Sequence, residues 1–404
     1  MKICHVTPHY LPSFAGITTV IREVSAKELE KGHEITVLCY FPWKPWRLTD
    51  IKSEVIEGIN VIRVKNHLMT SRNLLFGRYL NRFILPFEFF SALKGKKFDV
   101  LHIAGIHHLT YCAIIYAKIK KIPVMLSLYG EELRAFDDCG KINGVIKKIK
   151  LKLRYLLYKL IFNSAGSVSC SSKSLDAGLK QLGLRHDSIL ILNGVNVDKF
   201  PLERNDQREQ FRKKYGIPEE KMIIGSVGGI SDRKGYDILI DVFAKAVRKN
   251  RNLQLVIVGG GDIESLRKIA DRLNVLDKIN FIGAVSYEQL VEIYPVFDIY
   301  VQLPRQEEGV SQTALEAAMM LKPTVLSDCG AMRDSVYKDV SGFIIPVTMT
   351  DEIARKVLLL SNDSELRDKM GTEGRKWVIN NFSYDKIAGQ YLEKFEILVE
   401  KRRK

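Results

Sequence analysis

Glu308 and Glu316 stand with seven residues between them in the stretch EEGVSQTALEAAMMLKP, with Gly309 directly after the first and a helical pattern leading into the second. A helix starting near Ser311 or Gln312 would leave unpaired backbone N–H groups pointing at the loop that holds Glu308. Such a helix start binds anions, and a carboxylate beside it can accept protons from sugar hydroxyls. Glu316, a turn or so further along, would reach a second pair of hydroxyls, such as those of a ribose. The competing reading is a loop acid followed by a solvated helix acid. A second charged group lies in SVGGISDRKGYDILI, where Lys234 follows Arg233 in a loop flexed by glycines. Two cations held in such a loop could meet an anionic ligand, or could be a pair of solvated loop charges.

Histidines form the third group. His102, His107 and His108 sit in DVLHIAGIHHLT, at the end of an apolar strand pattern. Without a matching acidic cluster, three histidines do not compose a zinc site. The six cysteines are scattered and form no C-x-x-C pair, which reads as reduced, buried thiols. VGGGD at 258–262 places Gly259, Gly260 and Gly261 after a strand, but Glu264 replaces the third glycine of G-x-G-x-x-G. That substitution disfavours a dinucleotide dehydrogenase.

These groups need elements to position them, and 404 residues exceed what one core organises. Strand patterns at Ile35–Cys39, Phe98–Ala104, Val124–Leu128, Val168–Cys170 and Ile189–Leu192 alternate with helices, and a second series starts at MIIGSVGG. Alternation of this kind predicts two doubly wound α/β sheets, with ligands at the carboxyl ends of the strands. The expected division is one domain over 1–200, a second over 201–380, and a terminal helix over 381–404. The polar stretch Pro201–Glu220 reads as the hinge. The N-terminus turns polar too early for a signal peptide.

Charge divides unevenly. Residues 1–200 hold 30 Lys and Arg against 16 Asp and Glu, a net +14, whereas the remainder holds 32 against 31, a net +1. Lys141–Asn163 has seven basic residues and no acidic one. As a helix it places Ile142, Val145, Ile149, Leu153, Leu156 and Leu160 on one side and Lys148, Lys152 and Lys159 on another. That pattern fits a helix lying on an anionic membrane, or a domain helix whose apolar side packs on the sheet. Its IKLKL segment also alternates like a strand. No nucleic-acid motif accompanies the charge.

Glu308-Gly309, Leu315-Glu316-Ala317, Lys322-Pro323-Thr324-Val325 and Gly330 resemble the E-x7-E signature of glycosyltransferase family 4, retaining enzymes of the GT-B fold. Further markers occur in order along most of the chain: Gly16, Lys31–Glu34, Asp99–His102, Tyr129-Gly130, Asn193–Asn196, Lys234-Gly235, Val258–Asp262 and Gly342. The resemblance implies that 1–200 binds the acceptor, 201–380 the nucleotide-sugar, and that the helix over 381–404 packs back on the first domain; Lys234 and Arg233 would hold the donor diphosphate. It implies that Glu308 holds the transferred sugar and Glu316 the ribose, with backbone amides of Gly309, Val310 and Ser311 assisting. Gly259 and Ile282 would border the base. Gly16 would let the backbone approach phosphates that a Cβ would block. His102 or His107 would line the reacting carbon, and Tyr129 and Glu132 the acceptor. The chain departs from the family at Ala15, Ala104 and Gly229, where relatives often have Gly, His and Arg.

The expected activity is retaining transfer of a hexose-type sugar from a UDP- or GDP-linked donor to a glycan or lipid-linked hydroxyl. No cofactor or essential metal is expected. The expected setting is cytoplasmic, peripheral on the inner face of the cell membrane. Alternatives are a GT-B nucleotide-sugar epimerase and a donor-binding scaffold without turnover.

Overall fold

Near-continuous apolar runs, buried on both faces, form the strands of two separate, mainly parallel sheets. The computed structural model describes residues 1–12, 16–41, 52–65, 84–129, 145–185, 187–202, 207–306 and 309–403. Glu308 and Glu132 lie outside the described residues. The chain forms two compact units, Met1–Asn193 together with Tyr384–Lys404, and Gly194–Ser383.

The first unit runs β1 (Lys2–Val6), α1 (Gly16–Glu30), β2 (Glu34–Tyr40), β3 (Ser53–Ile56), β4 (Ile59–Val64), α2 (Leu85–Ala92), β5 (Val100–Ala104), α3 (His108–Lys120), β6 (Val124–Leu128), α4 (Val145–Ser164), β7 (Ser167–Cys170), α5 (Lys173–Gln181) and β8 (Ile189–Leu190). The strand order is β3-β4-β2-β1-β5-β6-β7-β8, parallel except for the β3–β4 hairpin. Successive strand residues point to opposite faces. Cys4 and Val6 join a core beneath α2 to α5, while Ile3, Ile35 and Val37 join a core on the other face with α1.

The second unit runs α6 (Gln207–Tyr215), β9 (Met222–Val227), α7 (Tyr236–Val247), β10 (Leu253–Val258), α8 (Ile263–Arg272), β11 (Ile279–Gly283), α9 (Tyr287–Ile293), β12 (Ile299–Gln302), α10 (Gln312–Met319), β13 (Thr324–Ser327), β14 (Gly342–Ile345), α11 (Thr350–Asn362) and α12 (Ser364–Phe382). Its strand order is β11-β10-β9-β12-β13-β14, all parallel. The chain then returns to the first unit as α13 (Tyr384–Arg403), whose Tyr391 and Phe395 pack on the α1 side of that sheet.

The domain boundary, the start of the return helix and the hinge differ from the sequence expectation. The boundary falls between Asn193 and Gly194, not at 200, and the return helix starts at Tyr384. Pro201–Glu220 does not form the hinge, because its described part includes α6, which is pinned inside the second unit. Arg208 bonds the Asp298 carboxylate at 2.9 Å, and Arg212 donates to the carbonyls of Pro218 and Lys221. Both arginines spend their charge on the unit, so the polar run was misleading. IKLKL is helical, within α4.

Candidate active site

In the second unit, the order in which strands are added reverses between β9 and β12, which are parallel neighbours although two strands intervene in sequence. Doubly wound sheets bind ligands in the crevice at such a switch point. Lys234 ends the turn Asp232–Lys234 that follows β9, and the Gly309 loop follows β12. Gly235 makes this approach possible. Its φ is +65°, and a Cβ there would sit 2.0 Å from the carbonyl oxygen of Leu303, just past β12. The Arg305 amide donates to the Arg233 carbonyl at 2.9 Å, and the Arg305 guanidinium pairs with Asp237. Two segments far apart in sequence are thereby tied into one rim.

A buried polar cluster holds the start of α10. Ser311 caps the helix by accepting from the Ala314 amide at 3.2 Å, and its hydroxyl donates to Gln302 at the end of β12. Tyr300 donates to Thr313 at 2.7 Å. One turn into the helix, the buried Glu316 carboxylate accepts from the Tyr294 hydroxyl at 2.6 Å. Burial raises its pKa to about 7, against hydrogen bonds from Tyr294, Gln312 and Tyr287 that lower it. Gln312 also donates to the Gly194 carbonyl at 2.9 Å.

The first unit has its own switch point, between β1 and β5. Gly16 opens α1 after β1, and among the described residues nothing lies within 4 Å of a Cβ built there. His107 caps α3 after β5, its amide donating to the Thr110 hydroxyl at 3.0 Å. Both His107 ring nitrogens are sealed from solvent, and burial lowers its pKa to about 3. The ring is therefore a neutral imidazole.

Comparison with known proteins follows the same division. The family model described as Glycosyltransferase Family 4 matches residues 14–199, and that described as Glycosyl transferases group 1 matches 207–377. The chain belongs to glycosyltransferase family 4. An uncharacterised glycosyltransferase of Methanocaldococcus jannaschii is 25% identical over 99% of each chain. A capsular polysaccharide biosynthesis glycosyltransferase of Staphylococcus aureus is 28% identical over 80% of this chain and 88% of its own. The Anabaena protein HepE, solved with UDP and glucose, superposes with a TM-score of 0.74 at 16% identity, covering 98% of this chain and 99% of that one. Both units of this glycosyltransferase are the parallel α/β domains of the GT-B fold.

Several expected site residues prove to be internal. His102 of this glycosyltransferase is fully buried in the middle of β5, not at a ligand-facing edge. Its Nδ1 lies 2.8 Å from His5 Nδ1 and its Nε2 lies 2.7 Å from the Ser127 hydroxyl. Both ring nitrogens are spent, which removes it as a group touching substrate. His5 Nε2 reaches Glu28 at 2.6 Å, and Ser127 reaches Ser169 at 2.6 Å. The Ser311 amide is likewise taken, donating to Ser335 at 2.8 Å, and Val310 is buried, whereas Gly309 is exposed. Glu316 is enclosed by its partners instead of opening outward. Tyr129 places its hydroxyl 3.4 Å from that of Tyr391 on α13. Gly259 serves chain packing: its φ is +150°, and a Cβ would meet the Gly228 carbonyl oxygen at 1.9 Å. Ile282 is half-buried on β11. Sequence reasoning missed Gln302, Tyr300, Thr313 and Tyr294. A glutamine ending the otherwise apolar run DIYV was the available signal.

Proposed function

We propose that this glycosyltransferase moves a hexose-type sugar from a UDP- or GDP-linked donor to a hydroxyl of a glycan or lipid-linked acceptor, with retention of configuration. One observation carries the reading: Lys234 and the loop leading to α10 border the same switch-point crevice, after β9 and β12. That crevice offers a cation for a diphosphate next to a loop whose Gly309 is exposed and which includes Glu308 in the sequence. HepE, a fold neighbour, was solved with UDP and glucose, and the Staphylococcus relative is named for capsular polysaccharide biosynthesis. The first supports a nucleotide-sugar donor and the second a polysaccharide product.

In this reading the bond from the sugar's anomeric carbon to the diphosphate breaks as the acceptor oxygen bonds the same face of that carbon. The acceptor's hydroxyl proton passes to the departing phosphate oxygen. Lys234 and Arg233 stabilise the charge left on the diphosphate, Glu308 orients the sugar, and Glu316 orders the helix next to the ribose. No metal takes part. The setting is cytoplasmic, at the inner face of the cell membrane.

Thermal-shift measurements with UDP-, GDP-, ADP- and CMP-sugars test the donor class. One nucleotide series should stabilise the chain, and stabilisation by none would overturn the reading. Lys234→Ala should lower kcat/KM about a hundredfold or more and weaken nucleotide-diphosphate binding. Unchanged donor affinity would remove the role given to Lys234.

A further inference from the structure

α4 has two apolar faces, and only one packs on its unit. Leu151, Tyr155, Tyr158 and Phe162 recur at three- and four-residue steps and join the core beneath the sheet. About half a turn round the helix, Ile149, Leu153, Leu156 and Leu160 form a second stripe that is 48–65% exposed. The packed side is therefore not the side that the sequence pattern singles out. Exposed Lys148, Lys152 and Lys159 line one flank between the two stripes. The neighbouring α3 continues the surface, with Ile115 and Ile119 51% and 62% exposed one turn apart. Both helices share one core, so these side chains mark the outer side of one helical layer. Neither α3 nor α4 contains an acidic residue.

A continuous apolar stripe on a soluble surface marks a contact site. Its occupant must suit both the leucines and the flanking lysines. A second copy of this face would bring lysines against lysines, which is repulsive. An anionic bilayer suits both, because the apolar stripe can enter the acyl boundary while the lysine stems reach back to the headgroups. Among the described residues no helix is long and apolar enough to cross a membrane, so the contact is superficial.

We propose that the outer face of α3 and α4 docks on an anionic lipid bilayer, with Ile149, Leu153, Leu156 and Leu160 inserted and Lys148, Lys152 and Lys159 at the headgroups. The proposal rests on the lipid-linked or envelope-glycan reading for its purpose, while its evidence is the exposed face itself.

Vesicle co-sedimentation of the full chain tests it. Phosphatidylcholine vesicles containing phosphatidylglycerol should bind the protein at low salt, and pure phosphatidylcholine vesicles should not. Neutralising Lys148, Lys152 and Lys159 together to Gln should weaken binding at least tenfold. Leu153→Gln with Leu160→Gln should do the same while thermal stability stays unchanged, because neither side chain is buried. Equal binding by wild type and both variants, or no binding of anionic vesicles at low salt, would overturn the proposal. So would a wild-type dimer in solution that the leucine pair dissolves, since the face would then be a self-interface. The nucleotide-sugar panel needs no vesicles, so failure of docking and failure of the donor reading are separately visible.

Discussion

At the second unit's switch point, buried polar side chains gather round the start of a helix: Gln302, Ser311 and Thr313 bond one another where β12 ends and α10 begins. The first unit places its buried polar groups differently. His5, His102, Ser127 and Ser169 lie within adjacent strands, and Glu28 closes the chain from α1. Polar groups at a strand end set the shape of a loop, which is where ligands meet such sheets. Polar groups within strands, sealed from water, tie layers together instead, here α1 to the sheet, with the Tyr391 ring of α13 tilted against His102 at a centroid distance of 4.8 Å. A histidine in a strand therefore needs its register before it is given a catalytic role. His102 pairs directly across from His5, and that pairing accounts for its Nδ1.

Replacing His102 with Leu is the strongest way to break this contrast. It leaves His5 Nδ1 unpaired and removes one of the buried partners of Ser127, while Glu28 and Ser169 remain, so unfolding of the first unit should become easier by about 2–4 kcal/mol. Denaturant titration followed by a probe in that unit measures this, and donor affinity should stay within about threefold. A large loss of transfer at unchanged stability would mean that His102 works in the chemistry after all.

Two glycines sharpen the contrast at the switch points themselves. Gly235→Ala would need both a left-handed backbone and displacement of the Leu303 carbonyl, so about 2 kcal/mol of stability should be lost, together with donor affinity. Gly16→Ala meets nothing within 4 Å among the described residues, so stability should move by less than about 0.5 kcal/mol. Any fall in activity of the Gly16 variant would then report a ligand approaching that backbone. Equal destabilisation by the two substitutions would erase the distinction between a packing glycine and an approach glycine.

Much of this architecture was readable from residue order. Alternating strands and helices imply parallel sheets, and the strands at 35–39, 124–128 and 168–170 stand within a residue or two of those read from apolar runs. The β3–β4 hairpin was not readable, because SEVI and INVIRV alternate too briefly beside a two-residue turn. The positions of Lys234 and Gly309 were legible because loop glycines advertise them. Glu316 was legible as a residue but not as a buried one, since its enclosure depends on Tyr294, which lies 22 residues away along the chain. The sidedness of α4 was ambiguous for a different reason. Both of its faces are apolar, so periodicity cannot say which one finds the sheet.

Glu316 also provides the mildest test of how the two switch points differ, because its state can be followed without substrate. Its folded pKa, about 7, lies above the ordinary carboxyl value of 4.5, so the folded chain retains a proton there that the unfolded chain releases. That contribution to stability is fully present below about pH 4.5, is lost as pH rises towards 7, and is constant above. Glu316→Gln carries no titratable group and can still accept from Tyr294. The melting temperature of wild type relative to Glu316→Gln should therefore fall between about pH 4.5 and 7 and then level off. A difference that is flat over this range would show that the carboxylate is ionised throughout, and hence that its pocket is more polar than the packing of Tyr294 and Gln312 implies. If the Gln variant also binds donor as tightly as wild type, Glu316 orders α10 without touching the ribose. A weaker donor with unchanged melting behaviour would place it in direct contact.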